Sequence, residues 1–318
     1  MARALPPALQ APLFASLAVT LFSLNDVTIK ALSDAYALHQ LVLARAGIGL
    51  IFILLVVAPL SGGWQQLRTK RPLAQMIRAL FLVIANLSFF MGLATLSVAE
   101  TVAIFFVSPL IITVFSVVFL KETVGVRRWS AIFVGLVGVL IIMRPGTEAF
   151  QLASIMPLIA ATCYGALHIM TRFLRDTETA VSMTFYILIG FIVVSVVTGL
   201  VIGHGRYGNQ GDPSLDFLFR AWRWFEVADL KWVVFIGFCG AIGGICISQA
   251  YRLGEAAFVA PFEYLALPLG IVLGYVIFGD IPDAMAMLGI TLILSAGLYS
   301  AWREMHVAPQ NIETPNRR

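Results

Sequence analysis

Charge is scarce in this chain. Of its 318 residues only 12% are Asp, Glu, Lys or Arg, against roughly 25% in a soluble globular domain. Hydrophobic residues make up 60%, so a water-facing surface for a protein of this size is excluded on composition. Cysteine is also rare. Cys163, Cys239 and Cys246 all fall in apolar stretches, with no further Cys or His at metal-ligand spacing, and they read as packing residues. No metal or other cofactor is expected. There is no His-Glu-x-x-His, no Gly-x-Ser-x-Gly and no Walker loop, which removes the usual metalloprotease, hydrolase and ATP-driven classes. Gly203 to Gly208 does match G-x-G-x-x-G, but it follows an apolar run and opens no helix, so it is a chance match. The net charge of +4 forms no basic stripe, and no nucleic-acid partner is expected.

What the chain has instead is long apolar runs. A hydrocarbon core about 30 Å thick needs about twenty helical residues to cross it. Windows of that size lie near 10–30, 38–60, 73–94, 97–120, 126–144, 152–172, 179–203, 231–252, 256–278 and 283–302. The expected fold class is therefore an all-α integral membrane protein of ten transmembrane helices. Short connections make neighbours antiparallel. The exception is 204–230, where Phe217, Leu218, Trp222, Trp224 and Phe225 interleave with Arg220 and Arg223. That mixture suggests a short helix on the membrane surface, with a soluble insertion as the alternative.

Positive charge sets the orientation. With the N-terminus in the cytoplasm, Arg3, Arg68, Lys70, Arg71, Lys121, Arg127, Arg128, Arg172, Arg175, Arg252, Arg303, Arg317 and Arg318 fall inside. Lys30, Arg144, Arg206, Arg220, Arg223 and Lys231 fall outside. Both termini are expected in the cytoplasm, and the lipid bilayer is the expected surround. Trp129, Trp232 and Trp302 sit at span ends as interfacial anchors. Cleavage of a signal peptide after Arg3 is not expected, because Ile29 to Asp34 has a counterpart in Thr171 to Asp176.

That counterpart belongs to a wider echo between two halves. Pro109 followed by Phe119-Leu120-Lys121-Glu122 corresponds to Pro268 followed by Ile277-Phe278-Gly279-Asp280; Gly138 then matches Gly297, and Arg144 matches Arg303. Five spans per copy is an odd number, so consecutive copies enter the membrane upside down relative to one another. Secondary transporters are commonly built this way, with the solute bound where the halves meet. Glycines in the echo, with Gly240 and Gly244, give faces for close helix contact.

The Pro109 to Gly138 stretch, and Ala260 to Tyr264 through Gly297, resemble the EamA repeat of the drug/metabolite transporter superfamily. The resemblance covers nearly the whole chain. It implies repeats over 10–144 and 152–302, a cytoplasmic tail over 303–318, and a ten-span carrier of small metabolites in the bacterial inner membrane. Asn25-Asp26-Val27 and the stretch from Arg71 to Arg78 resemble S-adenosylmethionine carriers. The Ala-Pro-Phe-Glu-Tyr run resembles riboflavin carriers as well.

Ionisable groups at membrane depth are costly and tend to be functional. Asp26 and His168 fall at equivalent depths of the first and sixth spans. Both suit proton coupling, against readings as a structural cap and as a packing residue beside Tyr164. Glu263 follows Pro261 and precedes Pro268, whose missing N–H groups open the span. It is the strongest candidate for binding a cationic group or a proton, with Tyr264 beside it; the alternative is a structural partner for Arg252 or another basic residue. Arg45 could hold a substrate carboxylate. Arg78 reads as snorkelling to the cytoplasmic edge with Arg71. Glu100 opens the fourth span, where a carboxylate favours a helix start. Asn86 and Gln249 could bridge helices or reach solute. Glu122 and Asp280 read as structural or gating groups at the two mouths.

The expected function is a secondary transporter moving a small polar metabolite by alternating access, with protons as a candidate coupling ion and a homodimer left open. The expected lining is Asp26, Arg45, Tyr164, His168, Gln249, Glu263 and Tyr264. The alternative from another class is a membrane-embedded enzyme acting on a lipid.

Overall fold

The computed structural model describes residues 7–121, 125–145, 151–208, 211–254 and 259–307. Among them every regular element is helical and none is a strand. In chain order the α-helices are α1 (Pro7–Leu32), α2 (Leu38–Phe52), α3 (Pro72–Thr95), α4 (Val98–Phe105), α5 (Ser108–Leu120) and α6 (Val126–Met143). They continue with α7 (Ile155–Leu174), α8 (Ala180–Ile202), α9 (Pro213–Phe219), α10 (Val227–Leu253), α11 (Ala266–Phe278) and α12 (Ala284–Val307). A π-helical turn, Ile53–Val57, and the turn Ala58–Leu60 extend α2, and 3-10 segments precede α7 (Leu152–Ser154) and α11 (Ala260–Leu265).

Seven continuous or once-broken helical stretches are long and apolar enough to cross a membrane, and three shorter apolar ones accompany them at Trp129–Met143, Phe262–Phe278 and Ala284–Tyr299. The distribution of polarity agrees. Leu55, Leu200 and Val276 point outward while Arg78, Ser248 and Glu263 are buried, the reverse of a water-soluble protein and the order expected in lipid. The chain is a multi-pass membrane protein.

Two stretches are broken beside a proline. The helical run over 98–120 stops at Phe105 and restarts at Ser108, with Pro109 in the first turn of α5. The 3-10 segment holding Pro261 and Glu263 precedes α11, whose first turn contains Pro268. Proline tolerates a first turn because the N–H it lacks has no intrahelical partner there. Both runs also end alike, with Lys121 (φ 57°) and Gly279 (φ 73°) in the left-handed conformation at matched positions. Glu122 lies outside the described residues. Glu100 does what its position suggested: Ser97 and Glu100 form a reciprocal capping box at the start of α4.

Lipid supplies no hydrophobic drive between helices, so small residues decide how close they come. A Cβ on Gly138 of α6 would lie 2.8 Å from the Gly289 carbonyl of α12, and one on Gly289 would lie 2.6 Å from the Gly138 carbonyl. Gly297 has a different role: a Cβ there would strike the Tyr264 ring at 2.2 Å.

The 204–230 connection contains a helix, but a shorter one than expected. α9 ends at Phe219, Phe217 is buried rather than laid on a surface, and Ser214 Oγ donates to the Met91 carbonyl. The following segment clips onto the start of the chain: Arg220 donates to the Ser33 carbonyl, and Tyr36 Oη donates to Asp229 at 2.6 Å. At the same end Lys30 donates to the Leu96 carbonyl at 2.9 Å and lies 3.5 Å from Asp280. Arg144 grips both oxygens of Asp283 and holds that carboxyl below the usual carboxylate range.

The opposite end is tied by Glu178, which sequence reading passed over. It accepts from Thr69 Oγ1 (2.6 Å), the Lys70 N–H (3.1 Å), Gln75 Nε2 (3.1 Å) and Ser182 Oγ (3.0 Å). Glu178→Ala strands these donors at a buried site, and a hydrogen bond to a charged group contributes about 1.5–3 kcal/mol. The expected result is a clear fall in the melting temperature of the solubilised protein; an unchanged melting temperature would show the cluster to be dispensable.

Candidate functional site

The helices enclose a cavity of about 160 Å³. It is reached by α1 through Asp26, α2 through Arg45, α3 through Arg78 and Asn86, α7 through Tyr164 and His168, α10 through Ser248, and the 3-10 segment through Glu263. Residues far apart in sequence thus share one internal space, and four phenylalanines from α1, α3, α4 and α8, with Phe106 in the α4–α5 break, supply much of its apolar wall.

Glu263 is buried, with 3% exposure. Tyr164 Oη donates to its Oε2 at 2.9 Å and Tyr251 Oη donates to Oε1. His168 stacks on the Tyr251 ring at 3.8 Å and meets Tyr164 edge-on at 4.2 Å. Both His168 ring nitrogens are buried without a hydrogen-bond partner among the described residues. A carboxylate, two phenols and an imidazole therefore form one contiguous cluster, joining the break before α11 to α7 and α10. Such a cluster can take up or release a proton and pass the change to three packed elements. The alternative partner for Glu263 is ruled out, since Arg252 Nη1 donates instead to Gln249 Oε1 at 2.9 Å.

On the other side Asn25 Nδ2 donates to Asp26 Oδ1 at 3.0 Å. Arg45 Nη2 donates to Asn86 Oδ1 at 3.0 Å, and the guanidinium lies 5.1 Å from the Phe191 ring centre and 5.9 Å from that of Phe90. Such ring faces favour a partly desolvated cation. The Arg45 stem rests on Gly240, where a Cβ would be 3.4 Å away. Arg78 donates to Thr171 Oγ1 (2.9 Å), the Met183 carbonyl (3.0 Å) and Ser248 Oγ (3.3 Å).

Several expectations need correcting. Arg78 does not snorkel to an edge: it is 2% exposed and lines the cavity. Its three oxygen partners come from α7, α8 and α10, and fixed hydrogen bonds replace the water it would otherwise seek. Tyr264 is not in the lining; its ring packs 5.4 Å from that of Phe106 and over Gly297. Gln249 is not in the lining either, being held by Arg252. Asp26, Arg45, Tyr164, His168 and Glu263 are brought together as expected. Sequence reading missed Tyr251, although Gly240, Gly244, Ser248 and Tyr251 recur every three or four residues, which marks one face of α10.

Comparison with known proteins adds a family match and named relatives. Residues 9–144 match the EamA-like transporter family. Over 243 residues the chain is 28% identical to a riboflavin transporter of Rhizobium johnstonii, covering 76% of this chain and 74% of that one. Over 290 residues it is 26% identical to an S-adenosylmethionine uptake transporter of Rickettsia bellii, covering 91% and 92%. A solved crystal structure shares the fold, with a TM-score of 0.66 at 16% identity over 96% of this chain and 99% of that one. The match over 9–144 and the names of these relatives point to a transporter of the EamA type and not to an enzyme, in keeping with the apolar helices.

Proposed function

We propose that the protein is a secondary carrier of a small polar organic metabolite, an amino-acid derivative or a compound like S-adenosylmethionine or riboflavin. It works by alternating access across the bacterial inner membrane with both termini in the cytoplasm. All ten helical stretches cross the bilayer, as repeats over 10–144 and 152–302, with 303–318 a cytoplasmic tail.

The pattern of helix packing is the observation that carries the reading. Number the stretches one to ten and exchange each with the one five places on. The pairing of α1 with α10 then becomes that of α7 with α3, and α2 with α10 becomes α8 with α3. The pairing of α5 with α7 becomes α11 with α1, while α6 with α12, α2 with α8 and α4 with α11 map onto themselves. A duplicated five-helix unit related by an internal two-fold axis has this property, and the cavity lies on the seam. Asp26 and His168, at equivalent depths, face it from the two halves.

Transport needs a solute site that each side of the membrane can reach in turn. The Lys30–Asp280 pair is the candidate outer gate, and Glu122, matched to Asp280 in the sequence echo, is the candidate for the inner one. Glu263 and His168 are the candidates for coupling to protons. Counterflow into proteoliposomes loaded with riboflavin or S-adenosylmethionine tests the reading. Saturable accumulation of the unmodified labelled compound supports it; non-saturable flux would mean a pore, and no flux of either would remove these solute classes.

A further inference from the structure

Two ionic groups in the cavity are cations without a paired anion. Arg45 and Arg78 are 6% and 2% exposed. Among the described residues no carboxylate comes within 4.0 Å of either guanidinium. A guanidinium carries five N–H donors. Arg45 uses one on Asn86, and Arg78 uses three on the neutral oxygens of Thr171, Met183 and Ser248. The carboxylates nearby are otherwise engaged. Glu263 accepts from two tyrosine hydroxyls, and Asp26 accepts from Asn25 while acting on Arg45 only through space. A desolvated cation with unmet donors is strongly unfavourable until an anion joins it.

We infer that the transported solute carries a carboxylate or phosphate that docks on one of these two arginines, joined to a planar ring that packs on the aromatic wall. That wall is continuous: Phe89 meets Phe105 edge-on at 5.2 Å, and Phe105 meets Tyr164 at 5.1 Å. An arginine fork matches a carboxylate or phosphate in two parallel hydrogen bonds, which an ammonium cannot do. The two sites are separate: Arg78 and Asn86 stand eight residues apart on α3, as do Gly240 and Ser248 on α10, about 12 Å at 1.5 Å per residue. This inference rests on the transport reading above and adds the charge of the cargo to it.

Matched probes on the full-length solubilised protein test it. Riboflavin against riboflavin phosphate asks whether a phosphate is favoured; decarboxylated S-adenosylmethionine against S-adenosylmethionine asks the same of a carboxylate. Affinities come from titration calorimetry, and the comparison within a pair needs no variant. The acidic member of at least one pair should bind at least tenfold tighter than its partner. That ratio should fall below threefold in Arg45→Gln or in Arg78→Gln, and the lysine variant at the same position should recover part of it; an unchanged ratio in both glutamine variants overturns the assignment. If the member lacking the phosphate or carboxylate binds as tightly in both pairs while uptake remains saturable, the anion site is refuted and transport stands. Absence of binding and uptake for all four probes would overturn both.

Discussion

Replacing Glu263 by glutamine should cut the initial rate of uptake into proteoliposomes by about ten- to a hundredfold and abolish its stimulation by an inward proton gradient. The size follows from the hydrogen bonds. A charged acceptor contributes about 1.5–3 kcal/mol per bond, and about 1.4 kcal/mol is a factor of ten in rate. Glutamine keeps the shape of the side chain, so one tyrosine hydroxyl can still donate to its single oxygen while the other must accept from its amide NH2, and the group can no longer gain or lose a proton. Tyr251→Phe separates the two contributions, because it removes one donor while leaving the titratable carboxylate in place. Its rate should fall, yet its response to the gradient should persist. Should Glu263→Gln retain both full uptake and its response to the gradient, the carboxylate is a structural group and proton coupling through it is refuted.

The second large effect concerns assembly rather than the cavity. Gly289→Leu should lower the melting temperature of the solubilised protein steeply, and Gly289→Ala should do so measurably. The carbonyl of Gly138 occupies the space that even a methyl group needs, and Ile142 closes the other side at 2.5 Å. Overpacking typically costs about 1–3 kcal/mol, and α6 and α12 have no hydrophobic effect to hold them together once pushed apart. Gly47→Ala is the control, since nothing lies within 4 Å of a Cβ at that position and alanine is the better helix former. It should be neutral or slightly stabilising. Equal behaviour of the two alanine variants would show that the close crossing is not what binds these helices.

The helical nature of the chain was legible because an apolar run of about twenty residues is set by bilayer thickness, a property read along the sequence. The break around Pro261 and Pro268 was legible for a similarly local reason, the missing N–H; the one before Pro109 was not drawn from the sequence. Side-chain direction was not. Arg78 was expected at the edge because a long side chain one turn inside a span can reach water, and only the positions of Thr171, Met183 and Ser248 on three other helices reverse that choice. Tyr264 and Gln249 illustrate the same limit. Each has the right chemistry at a plausible depth, but Gly297 makes a slot for the Tyr264 ring behind the cavity wall, and Arg252 takes the Gln249 amide. Glu178 escaped notice because its donors come from residues more than a hundred positions earlier as well as from its own helix start. The pairing of Glu263 with tyrosines needed Tyr251, which sits beside Arg252 at a span end and reads on its own as an interfacial residue.

The most direct test is the sidedness of two residues at matched ends of the repeats. Asp34 follows α1 and Asp176 follows α7, and both are exposed. In a background lacking Cys163, Cys239 and Cys246, Asp34→Cys and Asp176→Cys are labelled in intact cells with a membrane-impermeant maleimide. Inversion of the halves requires that Cys at 34 react from outside and that Cys at 176 react only after the cells are opened. Labelling of both from the same side would contradict the inverted pair, and with it the pocket between its halves.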